Sequence, residues 1–212
     1  MKIGSALLFA LLVLPVIALP IHAGVVYDDG PINGTTDAWT INFGFVVSDT
    51  FTVSSGTSNL NGLTFGAWLD PGDTITSVEV SMTSQADGGT VYFDQMVNLT
   101  QSGCSVNQFA FDVCTETGSF HGPTLPDGTY WLNLQNAMVP NGDPVYWDEN
   151  SGIGCTSPGC PSMATTSEPI PPESFTLYGG PAGTTPEPGS VLLFGSGIAG
   201  LAGVLRRRRN NG

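Results

Sequence analysis

Positive charge is confined to the two ends of this 212-residue chain. Lys2 lies near the N-terminus, and the other four basic residues form the run Arg206 to Arg209. The interval from Ile3 to Leu205 contains no Lys or Arg, yet it holds all 18 Asp and Glu residues. A domain that folds in this interval must therefore accommodate its carboxylates without a lysine or arginine to pair with them.

This charge distribution restricts both partners and topology. Nucleic acids and acidic membrane surfaces are excluded as partners because binding them requires Lys and Arg. Divalent cations, neutral glycans and basic proteins remain compatible. Because basic residues that flank membrane segments stay cytoplasmic, we expect the long acidic middle of the chain to be exported.

The N-terminus is typical of a secretory signal peptide. Lys2 precedes the apolar run Ile3–Leu14, and Ile21-His22-Ala23 forms an acceptable cleavage site. The first 23 residues are therefore predicted to be removed. Cleavage after Ala18 and an uncleaved anchor are the alternatives.

The C-terminus has three parts in a fixed order: Pro186-Glu187-Pro188, an apolar run over Gly189–Leu205, and Arg206 to Arg209. As a helix, the apolar run would extend about 26 Å, just short of a bilayer core of about 30 Å. Arginine side chains that reach the interface can make up the difference. A buried core helix is the alternative, but it would show a polar face, and this run has only Ser190 and Ser196. The pattern predicts a transmembrane helix.

This tail, residues 186–212, resembles the PEP-CTERM sorting signal of bacterial surface and exopolysaccharide-associated proteins. The Pro-Glu-Pro motif, the apolar helix and a basic stop match it in order and spacing; the basic stop consists of Arg206, Arg207, Arg208 and Arg209. The resemblance implies that an exosortase recognises Pro186, Glu187 and Pro188 and removes the tail. It also implies a membrane-anchored precursor in the inner membrane of a Gram-negative bacterium, followed by release to the cell surface or extracellular matrix.

Short runs of alternating apolar and polar residues occupy the region between the two ends. Predicted strands are Trp39–Val47, Asp49–Ser54, Leu60–Leu69, Thr74–Thr83, Thr90–Gln101, Gln108–Cys114, Gly128–Gln135 and Ser174–Tyr178. Turns rich in Gly and Pro, such as Asp70-Pro71-Gly72, separate them. The pattern predicts an all-β, antiparallel β-sandwich or jelly roll over residues 24–180, with a linker at 181–185.

The four cysteines predict disulfides, because an even count in an exported chain favours them. Local pairing of Cys104 with Cys114 and of Cys155 with Cys160 is the simplest of three connectivities. A four-cysteine zinc site is the alternative, although the spacings differ from the tight pairs of zinc ribbons.

Few residues suit catalysis, and we predict that the domain is not an enzyme. His121 is the single histidine after signal removal, and no nucleophile elbow is present. Asp94 and Asp112 are the carboxylates that a glycosidase could pair, but their alternating positions indicate solvated strand residues.

The long segment Asn136–Pro172 breaks the alternation, with one brief strand candidate at Val145–Trp147. Its oxygen-bearing side chains suit calcium, which prefers oxygen ligands; they are the acids Asp143, Asp148 and Glu149 and the amide Asn150, and a separate turn holds Asp70 and Asp73. No EF-hand spacing is present, so solvated loop acids are the alternative.

Tyr146 and Trp147 lie between those acids, beside Asp148. Aromatic rings next to carboxylates are what neutral sugars bind, so the three residues are a possible glycan contact. The preferred alternative places Trp147 in the hydrophobic core. Together with the tail, these features lead us to expect a structural or adhesive protein of the exopolysaccharide or biofilm matrix. A carbohydrate-binding module or, less readily, a secreted glycan hydrolase is the alternative.

Overall fold

The computed structural model describes residues 24–54, 56–150 and 163–181. These residues form strands, turns and loops and contain no helix that could cross a membrane. The strands are β1 (Gly24–Asp28), β2 (Ala38–Thr40), β3 (Val46–Val53), β4 (Ser58–Leu69), β5 (Ser77–Gln85), β6 (Gly88–Val106), β7 (Asp112–Ser119), β8 (Thr124–Leu125), β9 (Gly128–Met138), β10 (Val145–Asp148), β11 (Ala164–Thr165), β12 (Pro169–Ile170) and β13 (Phe175–Pro181).

Several predictions fall on segments outside the described residues. They are the signal peptide, the linker apart from Pro181, and the whole tail. The tail comprises the sorting motif Pro186, Glu187 and Pro188, the transmembrane helix over 189–205, and the basic stop of Arg206, Arg207, Arg208 and Arg209. These assignments stay predictions as far as the coordinates are concerned.

All strand pairs are antiparallel, so the predicted all-β, antiparallel class is confirmed. The strands follow one another in the order β1-β13-β4-β7-β6-β5-β9-β3-β11-β12, with β2, β8 and β10 attached beside this path. The 19-residue strand β6 pairs with β5 through its first half and with β7 through its second half. It therefore links the two halves of a curled sheet.

The curl brings the two ends of the sheet together around one core. Tyr27 in β1 packs edge-on against Phe51 in β3, with ring centroids 6.4 Å apart, and stacks on Phe175 in β13 at 5.5 Å. All three side chains are at most 1% exposed. We call this junction of β1, β3 and the start of β13 the seam. Burial of each large apolar side chain contributes about 1.5–3 kcal/mol, so apolar packing holds the two ends at the seam.

The predicted strand Trp39–Val47 is wrong in its middle. Residues 41–45 form a turn between β2 and β3, in which the Phe45 N–H donates to the Asn42 carbonyl at 3.1 Å. Phe43 and Gly44 have φ values of 56° and 84°, a left-handed conformation that a strand does not use. Phe43 and Phe45 are consequently more than 60% exposed.

The predicted strand Gln108–Cys114 is also interrupted, because residues 107–111 form the turn between β6 and β7. The Asn107 side chain fixes this turn by accepting hydrogen bonds from the Phe109 and Phe111 N–H groups. Next to it, Cys104 and Cys114 form the predicted disulfide. This bond excludes the four-cysteine zinc site, while Cys155 and Cys160 lie outside the described residues.

The other predicted strands are found with shifted ends. Two short strands, β11 and β12, were missed in the segment interpreted as a loop. They form a small hairpin that pairs with β3 through β11.

Candidate functional site

Trp147 lies in the core, so its ring is not available for stacking on a sugar. It is 0% exposed, and it packs edge-on against Phe65 and Phe175 with centroid distances of 6.3 and 5.7 Å. Its indole N–H donates to the Ser174 carbonyl at 3.0 Å. The glycan contact suggested for Trp147 is therefore corrected to a core position.

Asp148 is also 0% exposed and serves as a hydrogen-bond acceptor inside the fold. Its carboxylate accepts from four groups, which are the backbone N–H groups of Asn33 and Gly34, the Trp68 indole N–H and the Ser174 hydroxyl. Gly66 permits this packing, because a Cβ there would lie 2.8 Å from the Asp148 Cβ. Burial raises the pKa of Asp148, and the four hydrogen bonds oppose that rise. Asp148 therefore faces neither a glycan nor a calcium ion at the surface.

Tyr146 is half-buried and packs edge-on against Phe111, with centroids 5.5 Å apart. Phe111 and Phe109 also pack on Trp68, at 5.9 and 5.6 Å. Of these rings, Phe109 is 51% exposed. Tyr146 therefore belongs to an aromatic cluster at the β6–β7 turn, and its suggested glycan contact stays a prediction.

The predicted acidic cluster of residues 143–150 is split by the structure. Asp143 joins Asp70 and Asp73, and one carboxylate oxygen of each lies within 4.8 Å of the others. Burial and the charges of Asp73 and Asp70 raise the pKa of Asp143. This triad has the oxygen ligands that calcium accepts. Glu149 and Asn150 instead lie at the seam and are at most 2% exposed.

The residues considered for catalysis are not brought together. His121 is exposed in the loop after β7. Asp94 lies opposite Ser81, whereas Asp112 lies opposite Val106, twelve residues further along β6. That separation is roughly 40 Å of extended strand, far beyond the spacing of about 5–10 Å that glycosidase carboxylates need.

A groove of about 600 Å³ opens beside β2 and β3. Its lining residues are Trp39, Thr40, Gly44, Phe45, Val46, Ser48, Ala86, Asp87, Thr166 and Ser167. Trp39 lies directly opposite the buried Trp147 in the β2–β10 pair, and its indole N–H donates to Glu149 at 2.6 Å. Phe45 is 61% exposed. The groove thus combines the half-buried ring of Trp39, which a hydrogen bond holds in place, with the exposed ring of Phe45.

Hydrogen bonds within the fold hold both polar sides of the groove. On one side, the Asp87 N–H donates to the buried Asn133 side chain at 2.9 Å, and Asn133 in turn donates to Ser81 and Thr83. On the other side, the Thr166 N–H donates to the Glu168 carbonyl at 3.1 Å within the β11–β12 turn. The sides are therefore positioned before any ligand arrives.

The chemistry of the groove suits a neutral, hydroxyl-rich ligand. Rings supply apolar faces, while the hydroxyls of Thr166 and Ser167 and the Asp87 carboxylate can bond to polar groups. No lysine or arginine is present in the described residues, so an anionic ligand would meet no positive charge. Sequence reasoning missed this site because Trp39 and Phe45 alternate as a strand would. Gly44, a turn-forming residue between two aromatic residues, could have indicated the turn that exposes Phe45, though not the groove itself.

The comparisons with known proteins concern the tail. Residues 184–209 match the family model of the PEP-CTERM protein-sorting motif. The tail is a PEP-CTERM sorting signal. This motif implies an exported surface protein that an exosortase processes. Comparison with curated proteins and with solved structures gives no significant match.

Proposed function

We propose that the exported domain is an adhesive component of an extracellular polysaccharide matrix and binds neutral glycans in the groove beside β2 and β3. The observation that carries this proposal is the juxtaposition of Trp39 and Phe45 with the polar side chains of Asp87 and Ser167. A sugar ring has apolar C–H faces and hydroxyl edges. Aromatic faces cover the former, and polar side chains orient the latter.

Charge supports a neutral ligand over an anionic one. All but one of the 18 acidic residues lie between residues 24 and 185, and that region has no Lys or Arg. An acidic polysaccharide would be repelled at low ionic strength. A neutral polysaccharide avoids this repulsion.

The groove supports binding better than turnover. Asp87 is its single carboxylate, whereas most glycoside hydrolases use a pair. The exposed His121 does not line it. Hence an adhesive or structural role is favoured over a hydrolase.

The sorting signal supplies the route to the matrix. In this proposal, the apolar run 189–205 anchors a precursor in the inner membrane of a Gram-negative bacterium, and the arginines at 206–209 stay on the cytoplasmic side. An exosortase then cuts near Pro186 to Pro188, and the domain passes to the cell surface.

Affinity electrophoresis of the full-length chain in gels that contain soluble neutral polysaccharides tests the binding site. Dextran, xyloglucan and galactomannan are suitable probes, and we expect dissociation constants of about 0.1–1 mM for one of them. Phe45→Ala should weaken binding about tenfold, because it removes the open ring without touching the core. Phe109→Ala, an exposed aromatic residue outside the groove, is the matched control and should leave binding unchanged.

Loss of binding in Phe109→Ala but not in Phe45→Ala would move the site to the aromatic cluster at the β6–β7 turn. Release of reducing sugar that disappears in Asp87→Asn would replace adhesion by hydrolysis. Absence of binding to every neutral polysaccharide would contradict the proposal.

A further inference from the structure

Buried carboxylates from four segments of the chain meet at the seam. Asp29 follows β1, Asp49 lies in β3, Glu149 follows β10, and Glu173 precedes β13. Each is at most 2% exposed. Because no ladder of hydrogen bonds joins β1 to β3, this acidic centre lies where the curled sheet closes on itself.

Hydrogen bonds fix the positions of these groups. The Asp49 carboxylate accepts from the Glu173 N–H at 2.7 Å. The Asn150 side-chain amide donates to the Glu173 carbonyl and to both the carbonyl and the carboxylate of Asp29. Glu149 and Glu173 lie opposite each other in an isolated antiparallel bridge. The acidic side chains are therefore held close together by the fold.

Glu173 differs from its neighbours because neither of its carboxylate oxygens has a hydrogen-bond partner. It is 0% exposed. Burial, followed by the charges of Asp49, Glu149, Asp148 and Asp29, raises the pKa of Glu173 well above its usual value. A buried carboxylate with no donor and no counter-ion costs several kcal/mol. Protonation would remove the charge, but the carboxyl oxygens would still receive no hydrogen bond from the protein.

The chain does not supply a counter-charge from its own described residues. None of them is a lysine or arginine, and their single histidine, His121, is exposed elsewhere. We propose that the acidic centre of the seam binds one calcium ion through Glu173, a neighbouring carboxylate and backbone carbonyl oxygens. The ion would join the segments that carry β1, β3, β10 and β13.

The donor set favours calcium over other cations. The carboxylates and carbonyls of the acidic centre offer oxygen ligands, whereas zinc prefers nitrogen and sulfur. In the described residues, three carboxylate oxygens within 4.8 Å of one another occur only in the triad Asp70, Asp73 and Asp143. At the seam, a calcium ion would therefore take the two carboxylates named above and complete its shell with backbone carbonyls and water, which calcium accepts as ligands in flexible geometry.

Thermal unfolding of the full-length chain, dialysed against EDTA and titrated with CaCl2 at pH 7.5, tests this proposal. If the dissociation constant lies near 10⁻⁴–10⁻³ M, 10 mM calcium should raise the Tm by about 3–10 °C. Glu173→Gln should abolish the rise. Asp143→Asn, which disrupts the surface triad, is the matched control and should keep it.

Three results would overturn the proposal: no calcium-dependent rise, a rise that persists in Glu173→Gln, or a rise that disappears in Asp143→Asn. If Glu173→Gln does not fold, equilibrium dialysis of the double variant Asp73→Asn/Asp143→Asn with radioactive calcium decides. One ion bound per chain supports the seam site, and none bound contradicts it.

Discussion

Asp148 and Glu116 are both carboxylic acids with 0% exposure, but the fold treats them in opposite ways. Asp148 lies where the loop before β2 meets the end of β10, and four donors surround its carboxylate. Glu116 lies in β7, directly opposite the core residue Phe65, and neither of its carboxylate oxygens has a partner. Burial raises the pKa of Glu116 to about 8.

The comparison shows two ways of burying an acid in a domain without lysine or arginine. Neutral N–H and O–H groups can surround the carboxylate, which then connects separate segments. Alternatively, the acid can remain protonated at neutral pH, at a cost in stability that depends on pH. In the first arrangement the carboxylate connects separate parts of the structure, whereas in the second the buried acid lowers the stability of the sheet.

The largest effect is expected from Asp148→Asn. The variant keeps the size of the side chain but directs an NH2 group at donors, so that at least one buried donor loses its acceptor. Each loss costs about 1–3 kcal/mol, and removal of the charge weakens the remaining bonds. We expect the free energy of unfolding to fall by at least about 3 kcal/mol, as measured by urea denaturation.

Ser174→Ala is the matched control for Asp148→Asn, since it removes only one of the four donors. It should cost about 1 kcal/mol. Equal losses in the two variants would show that Asp148 does not act as the shared acceptor, and the contrast with Glu116 would then disappear.

The next effect has the opposite sign, because Glu116→Gln should stabilise the domain at neutral pH. The folded pKa of about 8 exceeds the ordinary glutamate value of 4.5, so the unfolded chain releases its proton first as the pH rises. Wild-type stability should therefore fall between pH 4.5 and 8. At pH 7 the penalty is at most about 3 kcal/mol, at 1.36 kcal/mol per unit.

Urea denaturation of the wild type and of Glu116→Gln at pH 4.5, 6 and 8 measures this penalty. The difference between the two proteins should grow with pH and level off near pH 8. A difference that is independent of pH would mean that Glu116 is ionised in the folded protein and has found a partner.

Sequence patterns predicted the all-β class correctly, because the alternation of apolar and polar side chains that marks a strand is a local property of the sequence. They failed where the alternation continues through a turn, as at Phe43, whose positive φ is rare for a bulky residue. They also gave no indication that an acid of β7, Glu116, is buried together with Cys114.

The residues that meet in the groove and at the seam could not be predicted from the sequence, for a different reason. Trp39, Asp87 and Ser167 are separated by about 50 to 80 residues, and the curl of the sheet brings them to one groove. Similarly, Asp49 and Glu173 are 124 residues apart and are joined by one hydrogen bond. Charge and periodicity give no information on which distant acids the topology places together.

The smallest effect is expected from Asp143→Asn, the solvent-accessible counterpart of the two buried acids. Burial and the charges of Asp73 and Asp70 raise the pKa of Asp143, so repulsion within the triad destabilises the fold once the pH exceeds the ordinary aspartate value. In EDTA at pH 7 and low salt, the variant should therefore raise the Tm by at most about 2 °C. The gain should disappear at acidic pH, where the Asp143 carboxyl group is protonated, and should shrink in 0.5 M NaCl because water and ions screen accessible charges. A gain that persists in high salt would mean that the triad is shielded from solvent, as Glu116 is. The triad would then resemble the acidic centre of the seam, because salt does not screen buried charges.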